Sequence, residues 1–309
     1  MKPATTRESV YHAGERFVQE QAGAIKPATA GLGAIHATIP EAAFDFLRER
    51  AFIVIAATSA DGDVWASQLG WEPGFMRVVD DRTLDIDAFP SPDDPVAPIL
   101  QTSCKVGTVA IDFATHRRMR LNGTSHPSKT GIQITTDQVY ANCPKYIAAR
   151  SIESRAAGLP HRMVLQSARL GEAARALVAS ADTFFIASAF GGDADASHRG
   201  GPPGFVEVVD GRTLRWPDYY GNSMFMTLGN IAESPAAGLL FSEWSTGTTL
   251  QLTGRAHTNW DPAAAQRFAG AKRVVEFAID RSVLTEHASP LRWTAASPSR
   301  FYPRAPDAA

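Results

Sequence analysis

Two stretches of the 309-residue chain gather side chains suited to binding an anion: Ser197-His198-Arg199 and the run from Gly221 to Thr227. The second is a Gly/Asn turn leading into an apparent helix start. Such a turn aims backbone N–H groups and the positive end of a helix at a negative ligand, and Asn222, Ser223 and Thr227 add neutral donors. Just upstream lie Asp218 and Tyr219, and a separate stretch, Asn142-Cys143-Pro144-Lys145-Tyr146, adds a cation. Several of these groups have a plainer use. His198 and Arg199 could simply cap a strand end, and Lys145 could be a surface charge. Cys143 reads as a small buried residue, with a more reactive thiol only if exposed beside Lys145. The basic run His116-Arg117-Arg118-Met119-Arg120 is either a solvated hairpin tip or a second source of positive charge. Trp65 and Trp71 read as core packing between two domains in preference to ligand stacking.

Other chemistry is missing from the sequence. The eight histidines are scattered, no HExxH spacing occurs, and Cys104 and Cys143 lie far apart, so no metal site is expected. GxSxG, Walker A and GxGxxG patterns are absent.

Composition bounds the rest. The formal net charge is −2, from 30 Lys+Arg against 32 Asp+Glu, which argues against a nucleic-acid binder and requires an anionic partner to be met locally. With 44% hydrophobic and 20% charged residues the chain is ordinary for a globular protein. No apolar run reaches membrane-helix length, residues 1–20 lack a signal-peptide pattern, and two cysteines make no disulfide framework; a cytoplasmic protein is expected. The 24 glycines and 20 prolines favour short strands and turns over a helical bundle.

What positions the candidate residues is an internal repeat. Residues 66–84 and 196–214 are identical at twelve of nineteen positions at a constant offset of 130. The match extends upstream to Phe52 and Phe184 and downstream to 106–115 against 237–246, then to Leu121-Asn122-Gly123 against Leu252-Thr253-Gly254. Each half reads as a helix followed by antiparallel strands. Val275, Phe277 and Ile279 alternate with polar or small residues as in a half-buried strand, and Asp261-Pro262 reads as a helix start. The division expected is an N-terminal extension over 1–38, a first domain over 39–165 and a second over 166–309. The extension carries Phe17, Val18, Ile25, Leu32 and Ile35, enough apolar surface to pack partly on the body. A helix is predicted over 147–158, ending at Gly158. The halves differ at the chemistry: Gln68 and Leu69 stand opposite His198 and Arg199, and the proline-rich 89–96 stands opposite the Gly221–Thr227 turn.

These residues resemble the pyridoxamine 5'-phosphate oxidase-like, FMN-binding split β-barrels. The resemblance runs from about Phe44 to Leu284 and is strongest from Phe184 to Ile231, while Tyr11-His12-Ala13-Gly14-Glu15 and Asn142 to Tyr146 look like a two-barrel bacterial subgroup. It implies an α+β fold of two tandem antiparallel split β-barrels forming an intramolecular pseudo-dimer, with FMN in the groove between them. The cofactor-binding residues it implies are Lys145, Ser197, His198, Arg199, Asp218, Tyr219, Asn222, Ser223, Met224 and Thr227. Ser223 and Met224 stand where many members carry two basic residues. A buried phosphate needs charge-assisted partners, so Arg199, aided by Arg117 or Arg118 from the other half, is expected to supply them. The function implied is FMN-dependent oxidoreduction of a small organic molecule with an electron donor or acceptor. No catalytic acid or base is assigned, no nucleic-acid or membrane partner is expected, and a homodimer is compatible. The alternative is a non-catalytic barrel, or one holding haem or another flat ligand with His198 as axial ligand.

Overall fold

The computed structural model describes residues 10–70, 72–156 and 161–303; Trp71 and Gly158 lie outside them. In chain order the N-terminal segment gives α1 (Ala13–Gln21) and α2 (Ile25–Gly31). The first half follows with α3 (Phe44–Arg48), β1 (Ile53–Thr58), β2 (Val64–Leu69), β3 (Met76–Asp80), β4 (Thr83–Ile86), β5 (Cys104–Asp112), β6 (Arg117–Pro127) and β7 (Ile132–Ala141). Two short strands, β8 (Ile152–Arg155) and β9 (Arg162–Ser167), come between the halves. The second half has α4 (Glu172–Ser180), β10 (Thr183–Phe190), β11 (Asp193–Gly200), β12 (Glu207–Val208), β13 (Thr213–Asp218), α5 (Met226–Glu233), β14 (Ala236–Glu243), β15 (Thr248–Asn259), α6 (Pro262–Gln266), β16 (Arg273–Glu286) and β17 (Leu291–Trp293).

The fold is α+β with antiparallel sheets, and the repeat reappears strand for strand. The first sheet has the order β2-β1-β5-β6-β7-β4-β3 and the second β11-β10-β14-β15-β16-β13-β12. Even the irregularity recurs. Register slips between Asn122 and Gly123 and again between Thr253 and Gly254, where a Cβ on either glycine would lie 2.0 Å from a neighbouring carbonyl oxygen. A bulge glycine that lets another backbone approach is the physical reason for the matched Leu-x-Gly triplets.

Strands β1 and β10 are apolar on both faces, the pattern of a sheet covered on each side. Ile53, Ile55 and Ala57 enter the core of the first half, with Leu84, Leu121 and Ile134. Phe184 and Ile186 enter that of the second, with Trp216, Phe241 and Phe277. The intervening residues Val54, Ala56, Phe185 and Ala187 meet one another in a third cluster where the two sheets pack together. Burying such a side chain is worth about 1.5–3 kcal/mol, which is what holds the halves together. Two glycines set the spacing of this contact. A Cβ on Gly107 would come within 2.3 Å of the Asp195 Cα, and one on Gly238 within 2.4 Å of the Val64 oxygen. Gly107→Ala and Gly238→Ala are each expected to destabilise by about 1–3 kcal/mol through overpacking. Thermal unfolding checks this, and unchanged midpoints for both would contradict the packing described.

Val275, Phe277 and Ile279 face the second core along β16, and Asp261 caps α6 by accepting from the Ala263 N–H at 2.9 Å. Over the described residues 147–156 the predicted helix is not formed. Ile152–Arg155 is a strand paired with β17, and Ala149 bridges to Ser297. Helix-favouring Ala, Glu and Arg lose here to a long-range pairing that also buries Ile147 and Ala148. Strand β9, which spans the expected 165/166 boundary, pairs with β16 of the second sheet. Within the N-terminal segment Val18 is buried and Leu32 and Ile35 are partly packed, whereas Phe17 and Ile25 are exposed. Trp65 packs in the core of the first half and not in the cluster between the sheets; the second half reaches its ring through Arg281. Among the described residues no helix is long and apolar enough to cross a membrane.

Candidate functional site

A cleft of about 850 Å³, counted out to its mouth, lies where β6 of the first sheet meets β11, the end of β13 and the start of α5. Its walls include Lys145, Ser197, His198, Arg199, Asp218, Tyr219, Asn222, Ser223 and Thr227, nine of the ten residues proposed from sequence. Met224 is the exception. Its side chain turns away to pack with Tyr11, Ala28, Tyr140 and Met226. An apolar side chain gains more in that cluster than at a polar wall, so Met224 is removed from the candidate set.

The basic hairpin run reaches the cleft. Residues alternate faces along β6, which sends Arg118 and Arg120 to one side and Arg117 to the other. Arg118 Nη1 lies 2.8 Å from His198 Nδ1, and its Nη2 donates to the Cys143 carbonyl at 2.7 Å. Arg117 instead sits over the Phe46 ring, 4.8 Å from its centre, away from this cleft. Arg120, which the sequence reading did not assign to the site, is the most heavily bonded residue in it. Its Nη1 donates to both Asp195 oxygens at 2.8 and 3.0 Å, and its Nη2 to Ser197 Oγ at 2.5 Å. Asn122 Nδ2 and the Tyr140 hydroxyl, each at 3.1 Å, complete the hydrogen bonds around the Asp195 carboxylate, with Thr227 at 3.4 Å. Burial opposes the charge on Arg120, but Asp195 and Tyr140 outweigh it and hold that guanidinium firmly protonated.

Charge is unbalanced here. Arg120 has its carboxylate, but among the described residues neither Arg118 nor Arg199 has one within ion-pair distance. Arg199 donates to Ser197 Oγ and to the His198 carbonyl. Burial, then repulsion from Arg120 and Arg199, depresses the Arg118 pKa to about 9. Asp218 lies opposite and is engaged at 3.2 Å by Arg273; burial raises its pKa. The excess is therefore positive.

Backbone geometry adds to it. Ser223 and Phe225 take left-handed conformations, with φ of 62° and 59°, and Asn222 Oδ1 accepts from the Met224 N–H at 3.1 Å. That turn delivers the chain to α5, whose first turn no side chain caps. Phe225, Met226, Thr227 and Leu228 line the cleft, so the uncapped end of the helix faces it.

His198 is 3% exposed, with the rings of Phe113 and Phe185 set edge-on at 6.3 and 5.7 Å. Burial, then the surrounding guanidiniums, pushes its pKa well below the ordinary histidine value, so the ring is neutral. Arginine can only donate, hence Nδ1 accepts and Nε2 carries the proton, which no group among the described residues accepts. A ring so enclosed is not presented as an axial ligand for haem. At the mouth, Tyr146 stacks on Tyr219 at 5.0 Å, and Lys145 lies over the Tyr220 ring. Cys104 and Cys143 are free thiols, and among the described residues no group of three or more His, Cys, Asp or Glu could hold a metal.

Residues 170–301 match the family model described as pyridoxamine 5'-phosphate oxidase. The second half of the chain belongs to that family. Solved structures similar to the chain include Group A Streptococcus HupZ, at 14% identity over 40% of this chain and 98% of that one, with a TM-score of 0.32. A FAD-binding protein from Mesorhizobium loti is 14% identical over 40% and 99%, with a TM-score of 0.29. The FAD binding protein from Mycobacterium smegmatis is 12% identical over 40% and 98%, with a TM-score of 0.27. No curated protein matches the chain. The stretch that the oxidase model matches contains β11, the end of β13 and the start of α5, but Arg118 and Arg120 come from the other half.

Proposed function

We propose that the chain is an FMN-dependent oxidoreductase acting on a small organic molecule, built as two split β-barrels paired within one chain, with one FMN in the cleft between them. The observation that carries the reading is the pair of guanidiniums without carboxylates, Arg118 and Arg199, beside the uncapped start of α5. A partly buried cation without an ion-pair partner is costly, and a phosphate would supply the missing charge. Family membership of 170–301 supports a flavin as the bearer of that phosphate.

The residues present fit that group. Arg199 and Arg118 would pair with the phosphate, replacing the basic residues absent at Ser223 and Met224. Asn222, Ser223, Thr227 and the first N–H groups of α5 would complete the cradle. Arg120 and Asp195 hold Ser197 and the β11 backbone in place. Phe205 and Leu228 exclude water from the inner wall. The flavin, when bound, supplies the electron transfer; the protein's part is to bind, orient and desolvate it. A cytoplasmic setting, a domain boundary near 165 and an electron-donating or accepting partner belong to the same proposal.

Calorimetry of the apo-protein tests it. One FMN per chain is expected, because only the second half has the Gly221 to Thr227 turn. Arg199→Ala and Arg118→Ala are each expected to weaken FMN by roughly 10- to 150-fold, corresponding to a charge-assisted hydrogen bond of ~1.5–3 kcal/mol, and to weaken riboflavin far less. Equal losses for both ligands would move the arginines to the ring. No FMN binding at all would remove the reading.

A further inference from the structure

The cleft has a counterpart in the other half, occupied from within. By the repeat, Ser67 and Gln68 stand for Ser197 and His198, and Thr249 and Gln251 stand for Arg118 and Arg120. These four residues again line one cavity, of about 430 Å³, between β2 and β15. What differs is the insert between the fourth and fifth strands of each half. The second half contributes the Gly221 to Thr227 turn; the first contributes the proline-rich segment that carries Asp94.

The Asp94 carboxylate enters this cavity. Ser67 Oγ donates to it through a very short contact. Gln251 Nε2 lies 3.2 and 3.3 Å from its two oxygens, and the Val96 N–H donates at 2.8 Å. Gln251 also reaches the Ala66 carbonyl at 3.0 Å, which ties β15 to β2 across the two sheets. Ser67 and Gln251 are the counterparts of Ser197 and Arg120, which touch directly in the cleft. Where a site built for an external anion has guanidiniums, this one has neutral donors and supplies its own anion.

We propose that this second cavity is an anion-binding site whose occupant is the chain's own Asp94 carboxylate. Asp94 closes the site to anionic ligands from solution and pins the 89–97 segment onto the second half. The inference stands on hydrogen bonds within the chain and goes beyond the flavin reading: it holds whatever fills the cleft.

Acetate is the probe, since it carries the same carboxylate. Asp94→Gly is expected to lower the thermal midpoint, and acetate at tens of millimolar to restore most of the loss in a saturable way, while chloride at equal ionic strength does not. The wild type should show no such response, and adding Gln251→Leu to Asp94→Gly should abolish it. Recovery no better with acetate than with chloride would overturn the proposal. If Asp94→Gly does not fold, a double-mutant cycle decides. Gln251→Leu should raise the unfolding equilibrium constant at least tenfold more in the wild type than in the Asp94→Asn background, and equal increases in both would overturn it.

Discussion

Arg120→Gln is expected to destabilise the protein by about 3–5 kcal/mol, the usual cost of leaving one partner of a buried ion pair without the other. Arg120 and Asp195 are 8% and 3% exposed, and the pair joins β6 of the first sheet to β11 of the second. Losing the guanidinium strands a carboxylate held, among the described residues, by Asn122, Tyr140 and Thr227 alone. Asp195→Asn should be costly for the complementary reason, since it leaves the buried Arg120 without a carboxylate beside the partly buried Arg118 and Arg199. The double variant is expected to recover most of either loss, because a neutral pair can replace a buried ion pair at little net cost. The chain supports this itself: the repeat places Gln251 and Trp65, both uncharged, at the counterpart positions. Urea unfolding of the two single variants and the double variant measures the coupling. Simple additivity would mean that the charges act separately and that the pair does not bind the sheets together.

If the pair is structural, it also explains why the cleft can carry excess positive charge. A carboxylate committed to Arg120 leaves Arg118 and Arg199 with no ion-pair partner among the described residues, Asp218 acting on Arg199 only from a distance, while the wall behind them stays neutral. The two halves differ in opposite senses: guanidiniums around the cleft, Asp94 in its counterpart.

The repeat was legible because twelve identities in nineteen positions survive at one offset, and it brought the strand order with it. Most wall residues followed, since His198, Arg199 and Asn222 to Thr227 are where the halves diverge. Arg120 was missed although a signal existed. Asp195 and Arg120 replace Trp65 and Gln251, two charges of opposite sign introduced into facing strands. Strand periodicity puts Arg118 and Arg120 on one face, but it does not say which sheet lies opposite. Met224 was misplaced because a turn with left-handed residues at 223 and 225 breaks the alternation that would have shown its direction. The 147–158 segment failed for another reason: its pairing partner lies at the far end of the chain, beyond the reach of local propensity.

Glu15 sets the second large effect, one that appears with pH. It lies on α1, 3% exposed, with the Glu15 side chain against Gly229 of α5, the helix whose first turn lines the cleft. Burial, only partly offset by the His12 N–H and Arg120, raises its pKa from 4.5 to about 8. In the folded protein Glu15 therefore keeps its proton over a range in which the unfolded chain has lost it. The stability that Glu15 contributes is complete below about pH 4.5 and is lost as pH rises toward 8, because the folded state binds the extra proton. At roughly 1.4 kcal/mol per pH unit, the ceiling on that loss is about 4–5 kcal/mol. Glu15→Gln keeps an acceptor for the His12 N–H and removes the titration. Its stability should match the wild type near pH 5 and exceed it by about 2 kcal/mol or more near pH 8, read from urea midpoints at the two values. Burial also raises the pKa of Asp94 and Asp218, so both proteins will retain some decline with pH; the difference between them isolates Glu15. A difference that does not change with pH would show that Glu15 is ionised in the fold and that α1 meets α5 through a charge.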